Sequence, residues 1–451
     1  MNLPSQLAQR LNHQLAEAYP DFLQALQLPA PVSTRLNPKK TFQHSYSEKI
    51  DWCENGFYLA ARPVFTLDPL LHAGAYYVQE ASSMLLEQVV IQNDLDKNAC
   101  LALDLCAAPG GKSTHLLSLL QPQSLLISNE VIKTRANILS ENIIKWGYPN
   151  SIITQNDPQH FAQLQGLFDL ILIDAPCSGE GLIRKNPEAL NEWSENNLKL
   201  CSSRQQRIVA DVWPALKEGG ILIYSTCTYN PEENMQQLLW MLQEYAFRSL
   251  PITLDERWGV EHLQEKNLHA YQCWPHKVKG EGFFMSVLQK TSSSNTTNLK
   301  SGKTKNNTVH KSIVQEVSNW IQQPEAFHFH EQNEMVFAFP KQHDALIQLL
   351  QAELYIMHMG LPLGEVKKNK IIPQHALALS TQYNPTAFPS FELNKEQALA
   401  YLHRDSIDLS AAAKGFVRLT HQQLGLGWAN NLGNRSNNMY PVNWRIRLNV
   451  S

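Results

Sequence analysis

Between residues 99 and 290 the chain alternates short, unbroken apolar runs with longer stretches of mixed polarity. LALDLC (101–106), SLLISNE (124–130), SIITQND (151–157), FDLILID (168–174) and GGILIYSTC (219–227) each read as a buried strand, and GFFMSVLQK (282–290) closes the series. Segments such as KSTHLLSLL and VIKTRANILSENIIKWG between them read as helices. Continuous apolar strands separated by helices predict a parallel sheet covered on both faces. Ligands of such sheets collect at the carboxyl ends of the strands. Upstream, Leu3, Leu7, Leu11 and Leu15 recur every four residues, which predicts a packing helix without chemistry of its own.

The clearest seam is TSSSNTTNLKSGKTKNNT, residues 291–308, whose apolar-poor composition predicts a flexible linker. It suggests an N-terminal region over 1–75, an α/β domain over 76–290, a linker over 291–309 and a C-terminal region of short strands over 310–451. That division suits a length of 451 residues. No secretory leader and no membrane-spanning run is evident, so a cytoplasmic protein is expected. The seven cysteines include no Cys-x-x-Cys pair, and neither a disulfide frame nor a zinc site is indicated. His328-Phe329-His330 lacks nearby cysteines or carboxylates at ligand spacing and reads as ordinary surface or core; no metal is expected.

A net charge of −3 is uninformative, but its distribution is not. Arg35, Lys39 and Lys40 lie in one acid-free block, and Lys300, Lys303 and Lys305 fall in another that keeps the linker soluble. Lys414, Arg418, Arg435, Arg445 and Arg447 lie in a third. Together the three blocks favour a nucleic-acid partner. In the tail, Trp428, Tyr440 and Trp444 interleave with arginines, a composition suited to stacking on RNA, although Trp428 is expected to be core.

The loop after the first strand, Cys106-Ala107-Ala108-Pro109-Gly110-Gly111-Lys112, has small residues that admit a ligand close to the backbone and to the next helix terminus. It contains Gly-Lys-Ser, but a phosphate-binding P-loop requires glycine where Cys106 stands, which disfavours an ATPase. The second strand ends at Glu130, suitably spaced for ribose hydroxyls, and the third at Asp157, suited to an adenine edge. The three strand ends describe a pocket for an adenosine-bearing ligand. With neither a P-loop nor Gly-x-Gly-x-x-Gly, S-adenosylmethionine fits best.

The fourth strand ends in Asp174-Ala175-Pro176-Cys177-Ser178 and the fifth in Thr226-Cys227-Thr228. If the strands are neighbours, two thiols and a carboxylate meet in one cleft. A thiolate that adds to carbon 6 of a pyrimidine activates carbon 5 toward a methyl donor, and an acid at ring nitrogen 3 stabilises the developing charge. The thiolate needs support from neighbours, for which Thr226, Thr228, backbone N–H groups and Lys112 are candidates. Spacing alone leaves open which cysteine attacks.

CAAPGGKS, the Glu130 and Asp157 strand ends, DAPCSGEG and YSTCTYNPEEN together resemble the Sun (Fmu) family of RNA cytosine-5 methyltransferases. STRLNPKK, PVFTLDP, YYVQEASSMLL, WCENGFYL, GEVKKNKIIPQHALALS and LGLGWANN are similar to its bacterial RsmF branch. The resemblance implies a class I methyltransferase fold, Rossmann-like with a mostly parallel seven-stranded sheet, an RNA-facing N-terminal region and a PUA-like α+β C-terminal domain. It implies cytosine-5 methylation of 16S ribosomal RNA near the decoding site; separately from the resemblance, a monomer is expected. Transfer RNA as substrate and a non-catalytic assembly factor are the alternatives. It assigns Cys227 as nucleophile, Cys177 as release helper or base, and Asp174 to face cytosine. The residues Cys106 to Lys112, Glu130, Asp157 and Asp174 are assigned to S-adenosylmethionine, with Arg135 contributing.

Overall fold

The computed structural model describes residues 3–293, 309–368 and 370–448. Five parallel strands, β1 (Leu101–Asp104), β2 (Leu125–Asn129), β3 (Ser151–Thr154), β4 (Phe168–Asp174) and β5 (Leu216–Thr226), lie in the order β5-β4-β1-β2-β3. The winding reverses at β1, which opens a crevice beyond the carboxyl ends of β1 and β4. Phe283–Lys290 pairs antiparallel with β5 and Leu268–Cys273 pairs with it in turn, completing the seven strands expected. Glu261–Glu265, Phe247–Ser249 and Ile356–Met359 extend the sheet to ten.

Both faces of this sheet are covered, which is why its strands read as unbroken apolar runs. Leu170 and Leu172 of β4 point into a cluster with Leu116, Leu139 and Ile143 of the helices Gly111–Leu119 and Lys133–Trp146. Their neighbours Ile171 and Ile173 face the opposite way, toward Ile208, Val209 and Leu238 of Glu195–Val212 and Met235–Glu244. Strand alternation therefore feeds two cores from one run. No helix among the described residues is long and apolar enough to cross a membrane.

The N-terminal region holds the helices Ser5–Leu15 and Tyr19–Gln27 and an antiparallel sheet. The order in that sheet is Glu48–Ile50, Cys53–Leu59, Val32–Leu36, Tyr76–Val78, so its last strand lies just past residue 75. Leu7 and Leu11 are fully buried with Phe22, Ile183, Tyr229 and Trp274, and Leu3 and Leu15 pack at the edge of this cluster. Each such leucine contributes about 1.5–3 kcal/mol.

The C-terminal region contains two four-stranded sheets, built from strands within 327–373 and within 390–438. It is joined to the α/β core: Ile356–Met359 covers the β3 edge, and Leu346, Ile347 and Leu350 of Asp344–Glu353 enter the core cluster. Trp428 and Tyr440 are interior, so the core expectation for Trp428 holds and the stacking role read for Tyr440 does not. Residues 294–308 of the expected linker, with Lys300, Lys303 and Lys305, lie outside the described residues.

Candidate active site

β4 and β5 run in step, with Asp174 opposite Ser225. Ser225 Oγ donates to Asp174 Oδ1 at 2.8 Å, and Ala175 N donates to Ser225 O at 2.8 Å. The loops that follow therefore leave the sheet side by side, and the Sγ atoms of Cys177 and Cys227 stand 3.1 Å apart. Both are free thiols. From the β1 side, Lys112 Nζ reaches Asp174 Oδ2 at 2.7 Å. Burial opposes the Lys112 charge, but Asp174, Asp104 and the Cys227 sulfur outweigh it and lift its pKa above the ordinary value. The cleft thus holds an ammonium, a carboxylate and two sulfurs.

Lys112 is placed by the turn before its helix. Gly110 has φ +114°, a left-handed conformation, and a side chain there would press on Leu139 Cδ1 at 3.3 Å. No side chain caps this helix, so its first N–H groups face the crevice. Glu130 is buried at the end of β2; its Oε1 accepts from Ile132 N at 2.9 Å and its Oε2 pairs with Arg135 at 3.3 Å. Arg135 also donates to Ala108 O at 2.8 Å, tying the Cys106–Lys112 loop to Glu130. Asn129 secures the three strand ends, donating to Leu105 O and Asn156 O while accepting from Thr154 Oγ1 and Asn156 N.

The carboxylates around the crevice feel one another. Burial pushes Asp104 up to about 7, with Asp174 and Glu130 adding to the shift against Ser113 and Lys112. Burial raises the Cys106 thiol as well, reinforced by Asp104, Glu130 and Asp174. Asp157 is engaged differently: its Oδ1 caps the turn at Gln159 N, at 3.2 Å, and pairs with Arg207 at 3.1 Å.

Two proposed thiolate partners are taken elsewhere. Thr226 Oγ1 donates to Asn234 Oδ1 at 2.5 Å, and Thr228 Oγ1 lies 2.8 Å from Ser178 Oγ and accepts from Asn230 N. These hydroxyls hold the loops instead of solvating a sulfur. Ser178, Gln205, Glu233 and Asn234 form that support and were missed in the sequence, although Glu233 and Asn234 lie inside YSTCTYNPEEN. The first helix also braces the site: Gln14 Nε2 donates to Tyr229 O at 3.2 Å, and Arg10 pairs with Glu180. Tyr229 stacks on Trp274 with ring centroids 4.8 Å apart, fixing the chain beyond Cys227.

Comparison with known proteins agrees with this geometry. Residues 92–289 match the family model of 16S rRNA methyltransferase RsmB/F, residues 3–81 the N-terminal domain of 16S rRNA methyltransferase RsmF, and residues 388–446 the methyltransferase RsmF PUA domain. Ribosomal RNA small subunit methyltransferase F of Vibrio cholerae is 34% identical over 454 residues, covering 93% of this chain and 92% of that protein. Its counterpart in Aliivibrio fischeri is 32% identical with the same coverage. The chain belongs to the RsmB/F rRNA methyltransferase family. A solved methyltransferase homologue from Pyrococcus horikoshii, 28% identical, superposes with a TM-score of 0.53 over 64% of this chain and 95% of its own.

In this RsmB/F-family methyltransferase two of the three cations of STRLNPKK, Arg35 and Lys40, are buried and face no RNA, and Lys39 alone is exposed. Arg35 is buried and donates to Gln79 Oε1 at 2.9 Å and Thr114 Oγ1 at 2.7 Å, fastening the N-terminal sheet to the helix after the Cys106–Lys112 loop. Lys40 is buried too, donating to Ala73 O and Lys145 O, and desolvation lowers it to about 7. Lys39 lies over the Tyr148 ring. Further exposed cations, Arg62, Lys185 and Lys279, line a cleft of about 760 Å³ between the N-terminal sheet and the segment after Cys177, which Glu48, Glu80 and Glu281 line as well, with Lys279 paired to Glu48.

Among the described residues of this RsmB/F-family chain, Cys53, Glu87 and His115 form a compact group of metal-ligating types. They are already hydrogen-bonded, Cys53 Sγ and His115 Nε2 each lying within 3.1 Å of Glu87 Oε2. Buried Arg35 acts on the same carboxylate, so the charge is balanced without an ion. His328 and His330 do meet a carboxylate, contrary to the reading from spacing. Asp344, from the following helix, lies 2.9 Å from each.

Proposed function

We propose that this protein methylates carbon 5 of a cytosine in small-subunit ribosomal RNA, with S-adenosylmethionine as donor and Cys227 as nucleophile. The observation that carries the reading is the 3.1 Å approach of Cys177 and Cys227 beside the Lys112–Asp174 pair. A purely RNA-binding scaffold has no use for two thiols and a partly buried ion pair at one strand junction. Ribosomal RNA is the expected substrate, and the exposed Arg62 and Lys185 at the cleft beside the catalytic loops offer phosphate contacts.

The crevice suits the donor. Asp104 Oδ1 is buried without a hydrogen-bond partner, the helix at Gly111 is uncapped, and Glu130 keeps acceptor capacity for ribose hydroxyls. Cys106 to Lys112, Glu130, Asp157 and Asp174 would hold it, with Arg135 steadying Glu130. When bound, the sulfonium supplies an electrophilic methyl group. On the protein side, the Cys227 thiolate adds to carbon 6 of a cytosine turned out of its stack. Asp174 and Lys112 face ring nitrogen 3, where a proton donated by this pair steadies the negative charge that develops. After carbon 5 is methylated, Cys177 takes the carbon-5 proton, the ring double bond reforms and Cys227 leaves as thiolate.

The test is mapping of 5-methylcytosine in ribosomal RNA incubated with wild-type and variant protein. Cys227→Ala should abolish both methyl transfer and the covalent adduct, whereas Cys177→Ala should accumulate protein bound covalently to RNA. The opposite pair of phenotypes would remove Cys227 from its role.

A further inference from the structure

The two cysteines are not held symmetrically. Cys177 is gripped on both sides of its own position. Gln205 Nε2 donates to Pro176 O at 3.1 Å, while Glu233 Oε1 accepts from Ser178 N at 2.9 Å and Glu233 Oε2 from Ser178 Oγ at 2.5 Å. Gln205 Nε2 also donates to Glu233 Oε1 at 3.2 Å, closing the grip into a ring. Glu233 is fully buried, and its own backbone is pinned to β5 by the Tyr224 hydroxyl, 2.8 Å from Glu233 O.

The same carboxylate ends a relay from the Cys227 loop. Asn230 N donates to Thr228 Oγ1, the Thr228 hydroxyl meets Ser178 Oγ at 2.8 Å, and Ser178 Oγ donates to Glu233. The residues directly after the two cysteines are thus joined to each other and to one buried anion. Lys112, at the start of the helix after β1, carries a charge that interacts with Cys227. A negative group beside Cys177 and a positive group beside Cys227 place the sulfurs in an electrostatic gradient.

We propose that Glu233 is a positioning residue that assigns the roles of the two thiols, keeping the pair's single proton on Cys177 so that Cys227 is the thiolate. The inference rests on Cys227 being the nucleophile. Cys177 is held well above the ordinary thiol range by its hydrogen bond to Cys227 first, then by burial and by the charges of Cys227 and Glu233. That hydrogen bond is strongest when the accepting sulfur is charged. Once that sulfur bonds to carbon 6, the hydrogen bond is lost and Cys177 releases its proton to solvent. The Cys177 thiolate then accepts the proton from carbon 5, and one proton leaves per methyl transferred. Beyond these sulfurs, the titratable groups that act with Glu233 are Glu180 from the Cys177 loop, Cys201 with Arg204 from the helix Glu195–Val212, and Tyr224 from β5.

The experiment is alkylation of the full chain by iodoacetamide across pH 6–9, with each cysteine quantified by peptide mass spectrometry. Wild type should react first at Cys227. Glu233→Gln keeps the shape and removes the charge; it should raise the Cys177 to Cys227 labelling ratio about tenfold near neutral pH, one pH unit of thiolate population. Glu233→Asp, which restores the charge, should recover most of the wild-type ratio. An unchanged ratio and pH profile in folded Glu233→Gln would overturn the proposal. If that variant does not fold, the wild type decides: Cys177 labelled ahead of Cys227 across pH 6–9 overturns the proposal as well. The assay contains no RNA, so a wild type that transfers no methyl to ribosomal RNA, while Glu233→Gln shifts the labelling ratio, would count against the proposed reaction and leave the role of Glu233 standing.

Discussion

Arg10 Nη2 lies 2.5 Å from Glu180 Oε1, joining the first helix of the chain to the loop that carries Cys177 across 170 positions of sequence. Glu180 is buried and also accepts from Trp193 Nε1 at 2.8 Å, whereas Arg10 retains a quarter of its side-chain exposure. Removing Arg10 leaves a buried carboxylate short of its cation. Because Arg10 is partly solvated, Arg10→Ala should cost about 2 kcal/mol, less than the 3–5 kcal/mol of a fully buried broken pair. A denaturant midpoint measures it. Methyl transfer should fall while donor affinity holds, and wild-type stability together with wild-type turnover would show that the helix is merely adjacent.

The Lys112–Asp174 pair supplies the second prediction. Lys112→Met keeps the length of the side chain and removes the charge that balances Asp174. Turnover should drop by about 100-fold, the usual cost of deleting one preorganised electrostatic partner of a transition state. Single-turnover methyl transfer at saturating donor is the appropriate measurement. A change confined to donor affinity would place Lys112 in binding and not in the chemical step.

The third prediction concerns acid. Burial lowers His72, His115 and His358 to about 4 and His375 to about 3 from an ordinary 6.5. Groups with a folded pKa below the unfolded one take up protons first in the unfolded chain, so their stabilisation is lost as pH falls from 6.5 toward 4. Asp104 and Glu281, pushed up to about 7, act in the opposite direction over the same range. Four imidazoles against two carboxyls leave a net loss of stability on acidification. Urea midpoints at pH 6.5 and 4.5 should show it. His375→Leu, which replaces a buried ring with two unpartnered nitrogens, should flatten the slope, and an identical slope would count against this account.

The fourth prediction follows from the shared sheet. A chain ending at residue 309 would bare the β3 edge that Ile356–Met359 covers and the core that Leu346, Ile347 and Leu350 fill. Such a chain should unfold more readily and self-associate, as exposed strand edges do. Light scattering and thermal unfolding would reveal it. A monodisperse truncated protein with unchanged unfolding would mean that the last 142 residues are a dispensable attachment (451 − 309).

Much of the α/β domain was legible because its causes are local. An apolar run buried on both faces has one periodicity, a Gly-Gly turn before a helix has one conformational need, and the chemistry falls where strands end. Ala107 to Lys112, Glu130, Asp174, Cys177 and Cys227 were all readable in this way. The two thiols were even placed together on the condition that β4 and β5 be neighbours. The roles of the cysteines came from family resemblance and were not visible in their spacing.

What the chain alone could not disclose was burial and register. Arg35 and Lys40 read as surface cations because charge says nothing about depth; only packing on the Gly111 helix encloses Arg35, and only packing against the end of Lys133–Trp146 encloses Lys40. Thr226 and Thr228 seemed to face a sulfur, yet the closing of two loops turned their hydroxyls to Asn234 and Ser178. Asp344 reached His328 and His330 from a helix that sequence spacing does not bring near. The sequence by itself determined which strand ends carry the reactive groups, since hydrophobic periodicity is written residue by residue. Only tertiary structure decided that two sulfurs fifty positions apart meet at 3.1 Å, with Glu233 bonded to the loop of one and the Lys112 charge acting on the other. Contact and field depend on distances in space, which chain order does not specify.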